Sequence, residues 1–465
     1  MIAKTVAPFG AVKNYLSASN MSIPKARIRK GDATHDAEYL EDPDRFLLQC
    51  EEEYGPVFNC LVQNQRMTII STPRLAREIF MNDDFSFGDA SEELVGFQTV
   101  ALMITKSHKG DDNRFIHSIL RDHLTPNLPH FSARIAEQIE SVMDRGFGKG
   151  SVDRPELVEA PSLIMLEMVA STTANVFMGP EISKDPNVQK TFKTAIYDFG
   201  QALDGTSSDN FWLKLYSQLR YGTSISPMHK HVKALAQAAE PVILERRQQE
   251  AKAAEQGYEW AERPLDILQK LLDTNDKNQL KDLEDVCGHL LILILASVHT
   301  TTDTSASMLY YLAAFPECIE VLYQEQLEVL EQQALEREKE RQHLINSGEA
   351  ESMGEFVGTD LDPVLDHTLT NKSAKKLFYM DSFIREIFRY RTDRIALVHK
   401  ARSDIHLSNG MTISKDAKVA INLRSIHQSI EHGEDLTEFR PWRNVGQSKP
   451  ATKSTSEYLP FGLGK

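Results

Sequence analysis

The stretch from Asp285 to Phe315 limits the fold more than any other part of this chain. Apolar side chains dominate it and are densest at Leu290–Val298, LLILILASV. That run is far below the about 18 apolar residues a bilayer-spanning helix needs, so it predicts a long helix buried in protein. Pro316 ends this helix or starts the next. A chain organised around such a helix needs other helices to cover it, and the sequence supplies them. Arg134–Met143, Leu163–Met178 and Leu235–Ala254 all carry apolar residues at helical spacing. Another helix is predicted over Asp381–Tyr390.

Strand signals lie on either side of this helical body. Val57–Val62 and Met67–Ser71 flank the polar turn Gln63-Asn64-Gln65 and predict a hairpin. Near the C-terminus, Ala396–Lys400, Asp404–Leu407, Met411–Ile413 and Lys418–Leu423 predict short strands. Asn409-Gly410 is the turn between the middle two. Glu328–Arg341 is dense in Glu, Gln, Lys and Arg and reads as a solvated helix, followed by a mobile loop to Asp366. The elements do not alternate βαβ, which argues against a dinucleotide-binding sheet. Gly146-Phe147-Gly148-Lys149-Gly150-Ser151 lacks the spacing of a phosphate loop and reads as a turn between helices.

Composition removes several classes of function. The 465 residues are 41% hydrophobic and 26% charged, an ordinary globular balance. Length alone allows about three domains or one large one. The net charge of −15 argues against nucleic acid as the main partner. The four cysteines, Cys50, Cys60, Cys287 and Cys318, have no metal-finger spacing and predict a reduced, intracellular protein, with a Cys50–Cys60 pair as the alternative for a secreted chain. The start, MIAKTVAPFGAVKNYL, reads neither as a signal peptide nor as a membrane anchor.

Three motifs near the C-terminus carry chemistry. Glu386-Ile387-Phe388-Arg389 puts a carboxylate and a guanidinium on one helix face. Phe439-Arg440-Pro441-Trp442-Arg443 follows, and Phe461-Gly462-Leu463-Gly464-Lys465 is last. Alone, the first is a common surface pair. In this order the set resembles the ExxR, FxPxR and haem-loop motifs of the cytochrome P450 family. The resemblance spans roughly residue 40 to the last and implies a mainly α fold with small β-sheets, the P450 fold, here lacking the family's C-terminal segment. The implied organisation is an N-terminal extension over 1–39, with no clear membrane anchor, and a P450 domain over 40–465.

The resemblance implies roles residue by residue. Glu386, Arg389 and Arg443 would form a buried charge triad, Arg being suited to bidentate bonds with a carboxylate. Phe461 and Gly464 match the haem-binding loop, whose thiolate ligand would follow three residues beyond Lys465; no metal ligand is assigned within the sequence. Ala296-Ser297-Val298-His299-Thr300-Thr301 matches the oxygen-activating segment of the family's long helix, with His299 in place of an acid. Thr300 would hold a water by hydrogen bonding and His299 would relay protons. The plainer reading of both is a core helix with satisfied hydroxyls and a structural histidine. His117 and Arg121 fall where the family contacts haem carboxylates, and Lys400 is a further candidate. The plainer reading of Arg121 is an ordinary surface cation. Ala296, Thr300 and the segment Ile395–Val398, with Ile395 and Val398 at its ends, would face the substrate.

The implied activity is that of a haem-thiolate monooxygenase, or a fragment of one. It would insert one oxygen atom of O2 into an apolar small molecule, with haem b as cofactor and electrons from NADPH through a reductase. The expected location is the cytoplasm or the endoplasmic-reticulum surface. The alternative is a non-catalytic truncated remnant or pseudogene product unable to ligate haem iron. A relative that rearranges an oxygenated substrate without a reductase is a third reading, disfavoured by Thr300.

Overall fold

The structure is a computed structural model. It describes residues 23–463 apart from 63–64, 107–117, 149–153, 207–211, 213–214, 217–218, 221–225, 259, 261–262, 276–281, 357–360, 362 and 429–432. In chain order come α1 (Asp36–Glu41), α2 (Pro43–Tyr54), β1 (Val57–Val62), β2 (Gln65–Ile70), α3 (Pro73–Met81), β3 (Phe85–Ser86) and α4 (Phe87–Val95). The helical series follows: α5 (Phe97–Ile104), a π-turn at Leu120–Leu124, α6 (Thr125–Gly146), α7 (Pro161–Met178), α8 (Pro186–Thr206) and α9 (Pro227–Glu255). It continues with α10 (Ile267–Asn275), α11 (Leu283–Ala314), α12 (Glu317–Ser347) and α13 (Asn371–Ala374). The chain then forms α14 (Phe378–Tyr390), β4 (Ile395–Ala401), β5 (Ile405–His406), β6 (Thr412–Ile413), β7 (Lys418–Asn422) and α15 (Leu423–His427). Its contacts divide into two units. The first joins the chain up to Leu94 with Phe378–Lys465, and the second is Val95–Leu377.

The first unit is built on a five-stranded sheet of order β1-β2-β7-β4-β3, in which only the β2–β7 pair is parallel. Strand alternation sends successive residues to opposite faces. Val57, Ile70, Val419 and Ile421 therefore enter one core, with Leu75, Ile79 and Leu459. Phe58, Cys60, Ile69 and Ala420 enter the other, with Phe46 and Leu47 of α2. The predicted hairpin and the Asn409-Gly410 turn are both present. β5 and β6 pair antiparallel around Gly410, whose φ of +85° suits glycine.

The second unit is built around α11. Asp282 caps it by accepting from the Asp285 N–H at 2.9 Å. Leu290, Leu291, Leu293, Ile294 and Leu295 are buried, as the apolar run predicts. The helix has the length and hydropathy of a membrane span, but 61% of its most apolar window is buried inside protein. Helices α7, α8, α9 and α10 pack on it. Gly288 lets the end of α5 approach closely, because a Cβ there would lie 2.2 Å from the Ile104 carbonyl oxygen.

One expectation needs correction. α12 is not a plain solvated helix. Gln333, Arg337 and Arg341 form a buried stripe at four-residue spacing. The described residues of the segment after it contain 3₁₀ turns at Met353–Phe356 and Pro363–His367. Asp366 there accepts from Arg341 Nη2 at 2.6 Å and Arg337 Nε at 2.9 Å. Burial alone would raise the Asp366 pKa, but these bonds outweigh it and hold it below its usual value.

Candidate functional site

In the first unit α14 carries a polar stripe on an otherwise apolar helix: Ser382, Arg385, Glu386 and Arg389, all buried. Glu386 accepts from Arg389 Nε at 2.7 Å and Nη2 at 2.8 Å, a bidentate pair. It also accepts from Arg443 Nε at 3.2 Å and the Arg440 N–H at 2.9 Å. Both arginines go on to donate to the backbone. Arg389 reaches the carbonyls of His427, Leu436 and Glu438. Arg443 reaches those of Glu434 and Asp435. Glu386, Arg389 and Arg443 are thus brought together and shape the segment that precedes Phe461.

Other residues share that work without having been singled out in the sequence. Ser382 donates to the Pro441 carbonyl at 2.8 Å, and Arg385 to that of Pro450 at 2.9 Å. The Arg385 guanidinium lies 3.6 Å above the Tyr458 ring. His427 Nε2 accepts from the Leu459 N–H at 2.8 Å. Their signal was the i, i+3, i+4, i+7 spacing of residues 382, 385, 386 and 389, of which the reading used only two. The loop then turns at Gly462, φ +72°, where a Cβ would lie 3.2 Å from the Phe80 ring. Phe461 is exposed, its ring edge-on to Phe388. Gly464 lies outside the described residues, as does His117.

Strand β4 departs from simple alternation. Its register shifts between Ala396 and His399, and Leu397 adopts φ +52°, unusual for a side chain branched beyond Cβ. Ile395 and Val398 consequently pack toward the core of α2, β1 and β2. Ala396 and Leu397 pack with Leu463 in the other core. His399 is buried, its Nδ1 donating to the Leu397 carbonyl at 2.7 Å, and burial lowers its pKa. The bulge was not legible in the sequence, which offered the segment Ile395–Val398 as ligand-facing without its change of register.

Two cations expected at haem carboxylates are already engaged. Lys400 Nζ lies 2.8 Å from Glu93 and 3.5 Å from Asp416. Glu93 is pushed up by burial but pulled further down by its bonds to Lys400 and Lys418, so its pKa falls below the usual carboxylate range. Arg121, in the second unit, is exposed and forms a two-point pair with its neighbour Asp122 at 2.6 and 2.8 Å.

In the second unit α11 is interrupted on one side. Ala296, His299, Thr300 and Asp303 are exposed at i, i+3, i+4 and i+7, while Leu295, Val298 and Thr302 beside them are buried. The Thr300 hydroxyl donates to the Ala296 carbonyl at 2.9 Å, and Ser297 Oγ donates to that of Leu293 at 2.8 Å. Each hydroxyl oxygen keeps lone pairs with which to accept from a ligand or water.

Each unit separately offers a haem one feature. In the second, α11 leaves a stripe with acceptor oxygens open; in the first, the Gly462 turn has the positive φ a tight loop needs. None of the four cysteines suits a haem's sulfur ligand. All are buried and free, and burial pushes the Cys50 and Cys287 thiols up to about 12 and raises Cys60 and Cys318 as well.

Comparison with known proteins decides the family. The family described as Cytochrome P450 matches residues 36–345 and 357–465. The chain belongs to the cytochrome P450 family. It is similar to Cytochrome P450 monooxygenase pyr3 of Aspergillus fumigatus, 24% identical over 92% of this chain and 74% of that protein. It is also similar to the lanosterol 14-alpha demethylase of Macaca fascicularis, 25% identical over 93% of this chain and 74% of that protein. Among solved structures it resembles retinoic-acid-bound cyanobacterial CYP120A1, with a TM-score of 0.58 at 18% identity, covering 95% of this chain and 86% of that one. The fold is therefore that of a P450. The family's activity is haem-thiolate monooxygenation of a small molecule, with haem as cofactor and electrons from a redox partner. Relatives named as monooxygenases favour this reading over a non-catalytic remnant.

Proposed function

We propose that this P450 oxygenates an apolar small molecule and that α11 supplies its proton path through Thr300 and His299. The observation that carries the proposal is the exposed stripe of Ala296, His299, Thr300 and Asp303 on a helix otherwise buried in its middle. The stripe offers a ligand one polar face on a helix whose other sides are covered by protein in its middle. When bound, haem supplies the dioxygen activation. Thr300 then acts through its oxygen: with its hydrogen committed to the Ala296 carbonyl, it accepts from a water and holds it in place. His299, exposed and one residue away, passes protons to and from that water. Ala296 leaves room on the same face for substrate.

In the first unit, Phe461, Gly462 and Gly464 would begin the cradle of the haem, and Glu386, Arg389 and Arg443 would brace it. Within the segment Ile395–Val398, the candidate to meet substrate, Leu397 has a positive φ and its side chain lies beside the Gly462 turn. An NADPH-dependent reductase is the proposed electron donor. The cytoplasm or the endoplasmic-reticulum surface is the proposed location, in keeping with four unpaired thiols.

The test is Thr300→Ala in haem-loaded protein supplied with NADPH and reductase. Oxygen and NADPH use should continue while product per oxygen consumed falls about tenfold and peroxide rises. Unchanged coupling removes Thr300 from the proton path.

A further inference from the structure

Helix α4 is short, acidic and surrounded by cations of the sheet. It carries Asp89, Glu92 and Glu93 and no lysine or arginine. Opposite it, Lys400 of β4 and Lys418 of β7 are direct register partners across the antiparallel pair. Like charges in that position repel. The Glu93 carboxylate resolves the conflict, one oxygen 2.8 Å from Lys400 Nζ and the other 2.7 Å from Lys418 Nζ. Lys418 also donates to the Gln65 side-chain oxygen Oε1 at 2.7 Å. At the other end of α4, Asp89 receives Arg402 through Nε at 2.7 Å and Nη2 at 3.0 Å. Apolar anchoring of α4 comes from Ala90, which is buried, and Leu94, which packs against the core of α2, β1 and β2. Phe87 is more than half exposed and meets His399 ring to ring. After α4 the chain turns at Gly96, whose φ of +67° a glycine adopts without strain.

We propose that Glu93 is a positioning residue: by bridging Lys400 and Lys418 it clamps α4 onto the β4–β7 pair, as a flap that salt releases. An isolated surface ion pair contributes little. This is a connected network, and its central lysine side chain, Lys418, is only 12% exposed. The flap lies against β4, so its release would uncover the strand that carries Ile395, Leu397 and Val398. That consequence rests on the function proposed above, whereas the clamp does not.

Hydrogen exchange of the α4 backbone amides in the whole chain tests the clamp without reference to substrate, so the two readings fail separately. Raising salt from about 0.1 M to about 1 M shrinks the screening length from about 10 Å to about 3 Å and should speed exchange in α4 about tenfold. Glu93→Gln should give the fast rate at low salt and abolish the salt response. Reversing all three charges, with Glu93→Lys, Lys400→Glu and Lys418→Glu, should restore slow, salt-sensitive exchange. Should that variant not fold, Glu93→Gln combined with Asp89→Asn decides, being expected to exchange faster than either alone. Exchange in α4 that ignores both salt and Glu93→Gln overturns the proposal. So does acceleration spread equally over β4 and β7, which would mark general destabilisation.

Discussion

Glu386 is a fully buried carboxylate that receives four N–H donors. A charge in that position persists because its partners replace the water it lost. Removing one leaves the other uncompensated, so Arg389→Met should cost about 3–5 kcal/mol, read as a lower urea midpoint. A loss below about 1 kcal/mol would mean that the pair contributes little beyond an apolar contact. The pair was legible because two opposite charges three residues apart on a helix recur with FxPxR downstream. Tyr458 and His427 were not, because their partners are backbone groups and a guanidinium far off in the chain, which leave no mark in a linear pattern. Lys400 shows a related gap. A cation in a strand shows its charge but not its partner, here Glu93.

α12 shows where a charge count fails. Its sequence is polar nearly throughout, so it reads as solvated, yet every fourth residue from Gln333 to Arg341 turns inward to hold the returning chain. The clue was the i, i+4 spacing of long donors, visible only to someone seeking a buried polar stripe. This clasp is acid-sensitive in a definite direction. Asp366 titrates below its ordinary 3.8 when folded, so its contribution is complete above that pH and fades as the pH drops through the lower folded value. Asp366→Asn should therefore lower stability at neutral pH by about 2–3 kcal/mol and leave stability near pH 2 little changed. Equal losses at both pH values would contradict this. β4 teaches the complementary lesson. Its existence and length were legible, but a bulge inverts alternation at one residue, and no residue type announces it.

In the second unit, α6, α7 and α11 leave an apolar cleft of about 360 Å³. Leu120, Leu124 and Leu128 line one wall, and Val176, Phe177 and Leu293 the others. The Thr172 hydroxyl beside them has no hydrogen-bond partner among the described residues. Such a cleft should take up an apolar fluorescent dye with a blue-shifted emission, and Leu124→Glu should weaken that binding at least about threefold. Dye binding indifferent to Leu124→Glu would locate the exposed surface elsewhere. For the molecule as a whole, family and fold class were legible from three short motifs in a fixed order. The long buried helix was legible from one apolar run. The division into two contact units was not, because the first is assembled from both ends of the chain and only contacts reveal that.

The four thiols have a use quite apart from haem. Each is sealed from solvent and held protonated, so a thiol reagent finds nothing to react with while the fold stands. Cys50 and Cys60 belong to the first unit, Cys287 and Cys318 to the second. The chain thus carries two pairs of built-in clocks. The rate at which each pair is labelled times the opening of its own half, with no probe introduced and no residue changed.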